Sequence, residues 1–264
     1  MHRLILCEGY DDRSFLAGFL QHHCQCTEPA AAKRTRSKYG NGAYVFFTAG
    51  GSHEIHVLPC GSVSQVLQSF KNNVQAAASG VHPEIDCLTL FTDHDTLPDR
   101  QESGDANSAP PLIKPQSIKG LLDRAEIQYQ ESANGDIPQW QIEKADKSKC
   151  VVALLHVRTH DANLRLGLPS KQTLERLVCH AIAKAHPDRA KTVGDWLASR
   201  QDKSTHTDRQ ESKEHAYSYL AGWYASDGCD YFFRHIWEQV ETKKHLIQEM
   251  RDTGILQALE SMAR

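Results

Sequence analysis

Leu4-Ile5-Leu6-Cys7-Glu8-Gly9-Tyr10-Asp11-Asp12-Arg13-Ser14-Phe15-Leu16 runs from an apolar stretch through an acid and a glycine into residues of helical spacing. Residues 3–8 read as a strand and Glu8-Gly9 as a tight turn. Residues 12–23, with Phe15, Leu16, Phe19 and Leu20 on one face, read as an amphipathic helix. A second stretch repeats the first half of that pattern: Ile85 to Thr92 is an apolar strand that runs directly into Asp93-His94-Asp95.

Between the two lie Ala43–Phe47 and His53–Leu58, β-rich runs separated by Ala49-Gly50-Gly51-Ser52, and a helix started by Ser62 or Ser64 with Val63, Val66, Leu67, Phe70 and Val74 on one face. Strands alternating with helices predict an α/β fold with a mostly parallel sheet flanked by helices. Beyond Asp95, residues 98–111 are polar and rich in breakers, and a helix is expected over 115–126. Residues 129–147 are weakly patterned, and Cys150 to Val157 is a further buried strand. From Pro169 the pattern is helical, over about 171–186, 189–200, 212–225 and 230–250 with a short tail helix. The expected organisation is an α/β core over 1–160 and a helical C-terminal region over 161–264.

Carboxyl ends of strands in an open parallel sheet converge on one crevice. Glu8 ends the first strand, and Asp93 and Asp95, at i and i+2 on an extended segment, would point to one side together. Clustered carboxylates repel and raise one another's pKa, which a hard cation such as Mg²⁺ relieves. A lone Asp-x-Asp also opens ordinary turns.

The two segments together resemble the Toprim family. Leu4–Leu16 looks like its first motif, an apolar strand followed by Glu-Gly-x-x-Asp-x-x-Phe-Leu, and Leu88–Asp95 like its second, a strand ending in Asp-x-Asp. The resemblance implies a Rossmann-like Toprim fold, with Glu8 as general acid or base and Asp93 and Asp95 holding Mg²⁺ or Mn²⁺. Among relatives the chain looks most like the stand-alone and overcoming-lysogenization-defect nucleases. They carry a later Leu-Glu on a helix, matched by Leu174-Glu175, and a lysine near the start of a subsequent helix, a place Lys213 could fill, with Lys203 a rival. Asp12 could be an outer metal ligand or could cap the first helix. The match covers residues 1–96 and, loosely, 150–220. His94 departs from the small residue usual between the aspartates, and the long 98–111 segment is no family hallmark.

The implied function is Mg²⁺-dependent phosphodiester chemistry on DNA or RNA, as a nuclease. The alternative is a catalytically silent Toprim-like module working with a partner protein. No GxxxxGK[ST] phosphate loop occurs, so an ATPase or targeting function would come from such a partner. A homodimer is left open.

The 264 residues carry a formal net charge of −3, so the field of the whole protein advertises no nucleic-acid binder, and any grip on phosphates must be local. Lys33–Lys38 and Lys243-Lys244-His245 are candidate patches, although solvated surface serves equally well. No stretch has the roughly 18 apolar residues that span a bilayer, and the N-terminal apolar run is too short for a signal peptide, so no membrane partner and a cytoplasmic location are expected. The eight cysteines are scattered like buried small hydrophobes of a reducing compartment. His22-His23-Cys24-Gln25-Cys26 lacks the second pair a zinc module needs. No GxGxxG follows the first strand and no GxSxG is present, which disfavours dinucleotide binding and serine nucleophiles. The aromatics from Tyr217 to Trp237 could stack bases, but their spacing fits helix packing.

Overall fold

Strand residues that are apolar without alternation must be covered on both faces, and residues 4–7, all buried, are the clearest case. A computed structural model describes residues 1–29, 37–95, 113–161, 167–200, 208–221 and 229–264. Its strands are β1 (His2–Cys7), β2 (Tyr44–Phe47), β3 (Glu54–Pro59), β4 (Ile85–Asp93), β5 (Tyr129–Asn134), β6 (Ile137–Glu143) and β7 (Lys149–Val157). They form one seven-stranded sheet in the order β2-β3-β1-β4-β7-β6-β5. β1 is parallel to both β3 and β4, whereas β2–β3, β5–β6 and β6–β7 are antiparallel. The sheet is therefore mixed, with a parallel centre and antiparallel flanks.

The antiparallel pairs follow from short connections that cannot house a crossover. Gly51, at φ 67°, lies in the β2–β3 turn. In the weakly patterned 129–147 segment, Asn134 pairs with Ile137 across the two residues Gly135-Asp136, with Gly135 at φ 61°. A positive φ at the first central position suits a tight hairpin. Gly135-Asp136 is the signal that marks it.

The helices are α1 (Tyr10–His22), α2 (Val63–Ala78), α3 (Pro115–Arg124), α4 (Leu174–Ala185), α5 (Pro187–Ser199), α6 (Asp208–Leu220), α7 (Cys229–His235), α8 (Val240–Asp252) and α9 (Ile255–Ala263). The helix expected over 230–250 is divided: α7 passes into a 3-10 turn over Ile236–Glu238, where adjacent Ile236 and Trp237 are both buried, and Gln239 is extended before α8 starts.

The chain separates into two compact units. The first comprises Met1–Thr92, Ile113–His156 and Gly254–Arg264; the second holds the described residues from Asp93 to Asp95 and from Val157 to Thr253. This differs from the expected division at residue 160, because the tail helix α9 belongs with the sheet and the Asp93–Asp95 segment with the helices. In the sheet unit, Leu4, Leu6, Leu88 and Leu90 face a core completed by Val66, Phe70 and Val74 of α2 and Ile118 and Leu122 of α3. Ile5, Phe15, Phe19, Ile55 and Val57 are likewise buried, and the rings of Phe15 and Phe91 stack at 6.4 Å. On that face Thr89 donates to Met262 Sδ of α9 at 2.8 Å, and Arg3 to the Met262 carbonyl at 2.6 Å. In the helical unit, α4 packs on α5, α6 and α8.

Much of the expected basic loop 29–42, the segment 98–111, residues 202–207, Lys203, Trp223 and Tyr224 lie outside the described residues. Among the described residues no helix is long and apolar enough to cross a membrane.

Candidate functional site

Glu8 stands one residue beyond β1, half-buried, and its carbonyl accepts from Gly61 N–H at 2.6 Å. Asp12 is buried three residues into α1, and its carboxylate accepts from the Gly9 N–H at 2.7 Å. That is half of a capping box, with the acid reaching back to the helix's first orphan donor. Arg13 follows it, spreading over the rings of Tyr10 and Tyr44 and donating to the Gly42 carbonyl at 2.6 Å. Beside Glu8, burial pushes the Cys7 thiol well above its ordinary pKa, which makes it inert as a nucleophile.

In the helical unit, Asp93 and Asp95 each bond the backbone at the start of α4, but among the described residues the carboxylates of Asp93, Asp95 and Glu175 do not gather into a group of three ligand atoms. Asp93 Oδ1 accepts from the Leu174 N–H at 2.8 Å. Thr173 caps the same helix by accepting from Arg176 N–H, and Glu175 lies in its first turn. Asp95 N–H donates to the Gln172 carbonyl at 2.9 Å, and its carboxylate lies 3.7 Å from Lys171 Nζ. The extended geometry expected to align Asp93 with Asp95 stops at Asp93, since β4 ends there and Asp95 turns into the left-handed region at φ 60°. What relates the two aspartates is the 172–174 backbone, which both of them bond. Lys213 is half-buried on α6, in the helix's second turn.

Glu249, buried on α8, was not singled out by sequence reasoning. Burial alone would raise its pKa, but His180 Nδ1 at 3.2 Å, Lys184 Nζ at 2.7 Å and the His160 N–H at 3.0 Å hold it down to about 2. It ties α8 to α4. Of the aromatics read as core or stacking residues, Tyr219, Phe233 and Trp237 are buried. Cys24 and Cys26 are reduced thiols, in no disulfide.

A second group of titratable side chains lies at the other end of β1. One ligand atom each from His2, Glu54 and His56 fall within 4.8 Å of one another. The register places His2 opposite Glu54, and Glu54 and His56 share a strand face. Burial pushes His56 down to about 4, neighbouring His2 adds to this, and Glu54 opposes it. Glu54-Ile55-His56 carried the signal, an acid and a histidine at strand spacing, but it was read only as strand.

An α/β protein with a mixed, helix-flanked sheet is the class that these observations define. No protein-family model matches the sequence, and no curated protein matches it. The chain is similar in structure to a hypothetical protein of Pyrococcus horikoshii OT3, known from a crystal structure, with a TM-score of 0.63 and 17% identity over 100% of this chain and 99% of that one. At that identity the likeness concerns the fold alone.

Proposed function

We propose that the chain is a Toprim-type enzyme of Mg²⁺-dependent phosphodiester chemistry on nucleic acid, a nuclease, built on Glu8, Asp93 and Asp95. The observation that carries this reading is the placement of the two motifs on adjacent strands. β1 and β4 are neighbours and parallel, Cys7 lies opposite Phe91, and the motif acids follow at the same end of both. Carboxyl ends of parallel strands are where open α/β sheets take their ligands.

Asp93, Asp95 and Glu175 offer only carboxylate oxygens, the chemistry Mg²⁺ and Mn²⁺ prefer, and an ion would have to draw them together, since their ligand atoms are not gathered within 4.8 Å of one another. Bound there, such an ion supplies Lewis-acid polarisation of a phosphoryl oxygen and a lowered pKa for its water. Glu8 moves the proton at the attacking or leaving oxygen, and Lys213 offsets charge that accumulates on the phosphate. The Asp93 bond to Leu174 N–H fixes the carboxylate's orientation. Asp12, engaged at Gly9, supports the turn that carries Glu8.

The same contacts favour a second reading, a catalytically silent module, since Asp93 and Asp95 also hold the start of α4 in place. Purified protein and its Asp93→Asn and Asp95→Asn variants, incubated with plasmid, single-stranded DNA and structured RNA in Mg²⁺, Mn²⁺ or EDTA, separate the two. Metal-dependent cleavage lost in both variants supports the nuclease. Calorimetric Mg²⁺ binding without cleavage points to a required partner chain, and neither cleavage nor binding leaves the silent module.

A further inference from the structure

We propose that His2, Glu54 and His56 form a second metal site, for a divalent transition-metal ion of the zinc class, at the opposite end of β1 from Glu8. This is independent of the phosphodiester reading, since no residue is shared.

The hydrogen bonds around the trio fix where its lone pairs point. The Tyr39 hydroxyl donates to Glu84 Oε1 at 2.7 Å, so at the His2 Nδ1 contact of 2.8 Å it accepts, and Nδ1 carries the proton. His2 Nε2 is then a bare acceptor. His56 Nδ1 lies 3.1 Å from Ser37 Oγ; when it donates there, its Nε2 is bare as well. His56 is 4% exposed, and its Nε2 makes no hydrogen bond although it lies 3.3 Å from Glu54 Oε2. His2 Nε2 lies 3.7 Å from that same oxygen. Two imidazole lone pairs and a carboxylate oxygen thus face one small volume, an arrangement of acceptors without a donor that a cation satisfies. Ligands about 2.0–2.1 Å from a tetrahedral ion stand about 3.4 Å apart, close to the two separations observed.

The donor set selects the ion. Two imidazoles and one carboxylate suit Zn²⁺ and its borderline neighbours, whereas Mg²⁺ prefers oxygen alone. Outside the trio, Ser37 and the Tyr39–Glu84 pair supply the outer hydrogen bonds that orient metal-binding histidines, and Lys38 pairs with Glu84. The Glu54 side chain is 37% exposed, which leaves the fourth position open to water. Such an ion would pin β1, β3 and the 37–39 segment together.

The test uses tag-free protein stripped of metal, titrated with Zn²⁺ by calorimetry and with Co²⁺ by visible absorption. In excess Mg²⁺, which occupies the carboxylate site, one further ion per chain is expected, with tetrahedral d–d bands and no near-ultraviolet thiolate band, and with a rise in Tm on Zn²⁺ addition. Binding should disappear in His56→Ala and Glu54→Gln, weaken about tenfold in Tyr39→Phe, and stay unchanged in Asp93→Asn/Asp95→Asn. Glu54→Gln is the variant that spares the core, and circular dichroism shows whether each variant is folded. No stoichiometric binding in the wild type overturns the proposal, as does retention in folded Glu54→Gln. A thiolate band does so too, by placing the ion on Cys24 or Cys26.

Discussion

At φ 60° the backbone of Asp95 occupies the left-handed region, which costs an ordinary L-residue about 1–2 kcal/mol and which aspartate tolerates better than most. Its N–H bond to Gln172 keeps it there. Backbone and side chain can therefore be tested apart. Asp95→Gly should hold or gain stability, by about 0.5–1 kcal/mol in urea unfolding, while Asp95→Ala should lose about as much, and both should lose Mg²⁺ binding. If Asp95→Gly binds Mg²⁺ as the wild type does, Asp95 is no ligand. Asp12 makes the opposite case, an acid whose visible work is structural: Asp12→Ala should cost about 1 kcal/mol through the lost bond to Gly9 N–H, and Asp12→Asn much less. The motif residues were legible one by one because apolar runs ended at acids. The turn of Asp95 was not, since nothing in Asp-His-Asp announces a positive φ.

Elements announced themselves where one periodicity ruled. β1, β4 and β7 hold nearly unbroken apolar runs over residues 4–7, 87–91 and 150–155, and α2 carries one clean stripe, so their positions followed from the residues alone. The β5–β6 hairpin did not, because Gln130, Glu131 and Gln139 break the apolar pattern and only Gly135-Asp136 marks the reversal. Glu249 was equally hidden: its partners His180 and Lys184 lie about 65 residues upstream and meet it only because α4 packs on α8. Its carboxyl, ordinarily near 4.5, is held near 2 in the fold, so the unfolded chain takes up the proton first. The stability it contributes is present above about pH 4.5 and is lost as pH falls toward 2. Glu249→Gln should accordingly cost about 3 kcal/mol at pH 7 in denaturant unfolding, since it leaves Lys184 without its counter-charge. At pH 3 the gap between wild type and variant should narrow, and an unchanged gap would mean that the pairing contributes nothing.

At the scale of the molecule, the order of the chain and the order of the fold part company at the end. Residues 254–264 follow ninety-odd residues of the helical unit, yet they belong to the sheet unit. Nothing in the residues announces this, because α9 is apolar enough to cover any surface: Ile255, Leu256, Leu259 and Met262 are all buried. Its partners are specific, with Thr89 and Arg3 bound to Met262, and Glu260 Oε1 2.9 Å from His23 Nε2. Four large apolar side chains at roughly 2 kcal/mol each come to about 8 kcal/mol, an upper figure that still rivals the 5–15 kcal/mol stability of a typical domain. A chain ending at Thr253 should therefore lose the ordered sheet: amides of β1 and β4 should exchange far faster than in the full chain, and near-ultraviolet dichroism should collapse. Adding residues 254–264 back as a peptide should restore part of that protection, whereas a truncated chain that keeps slow exchange in β1 would show that α9 covers the sheet without holding it.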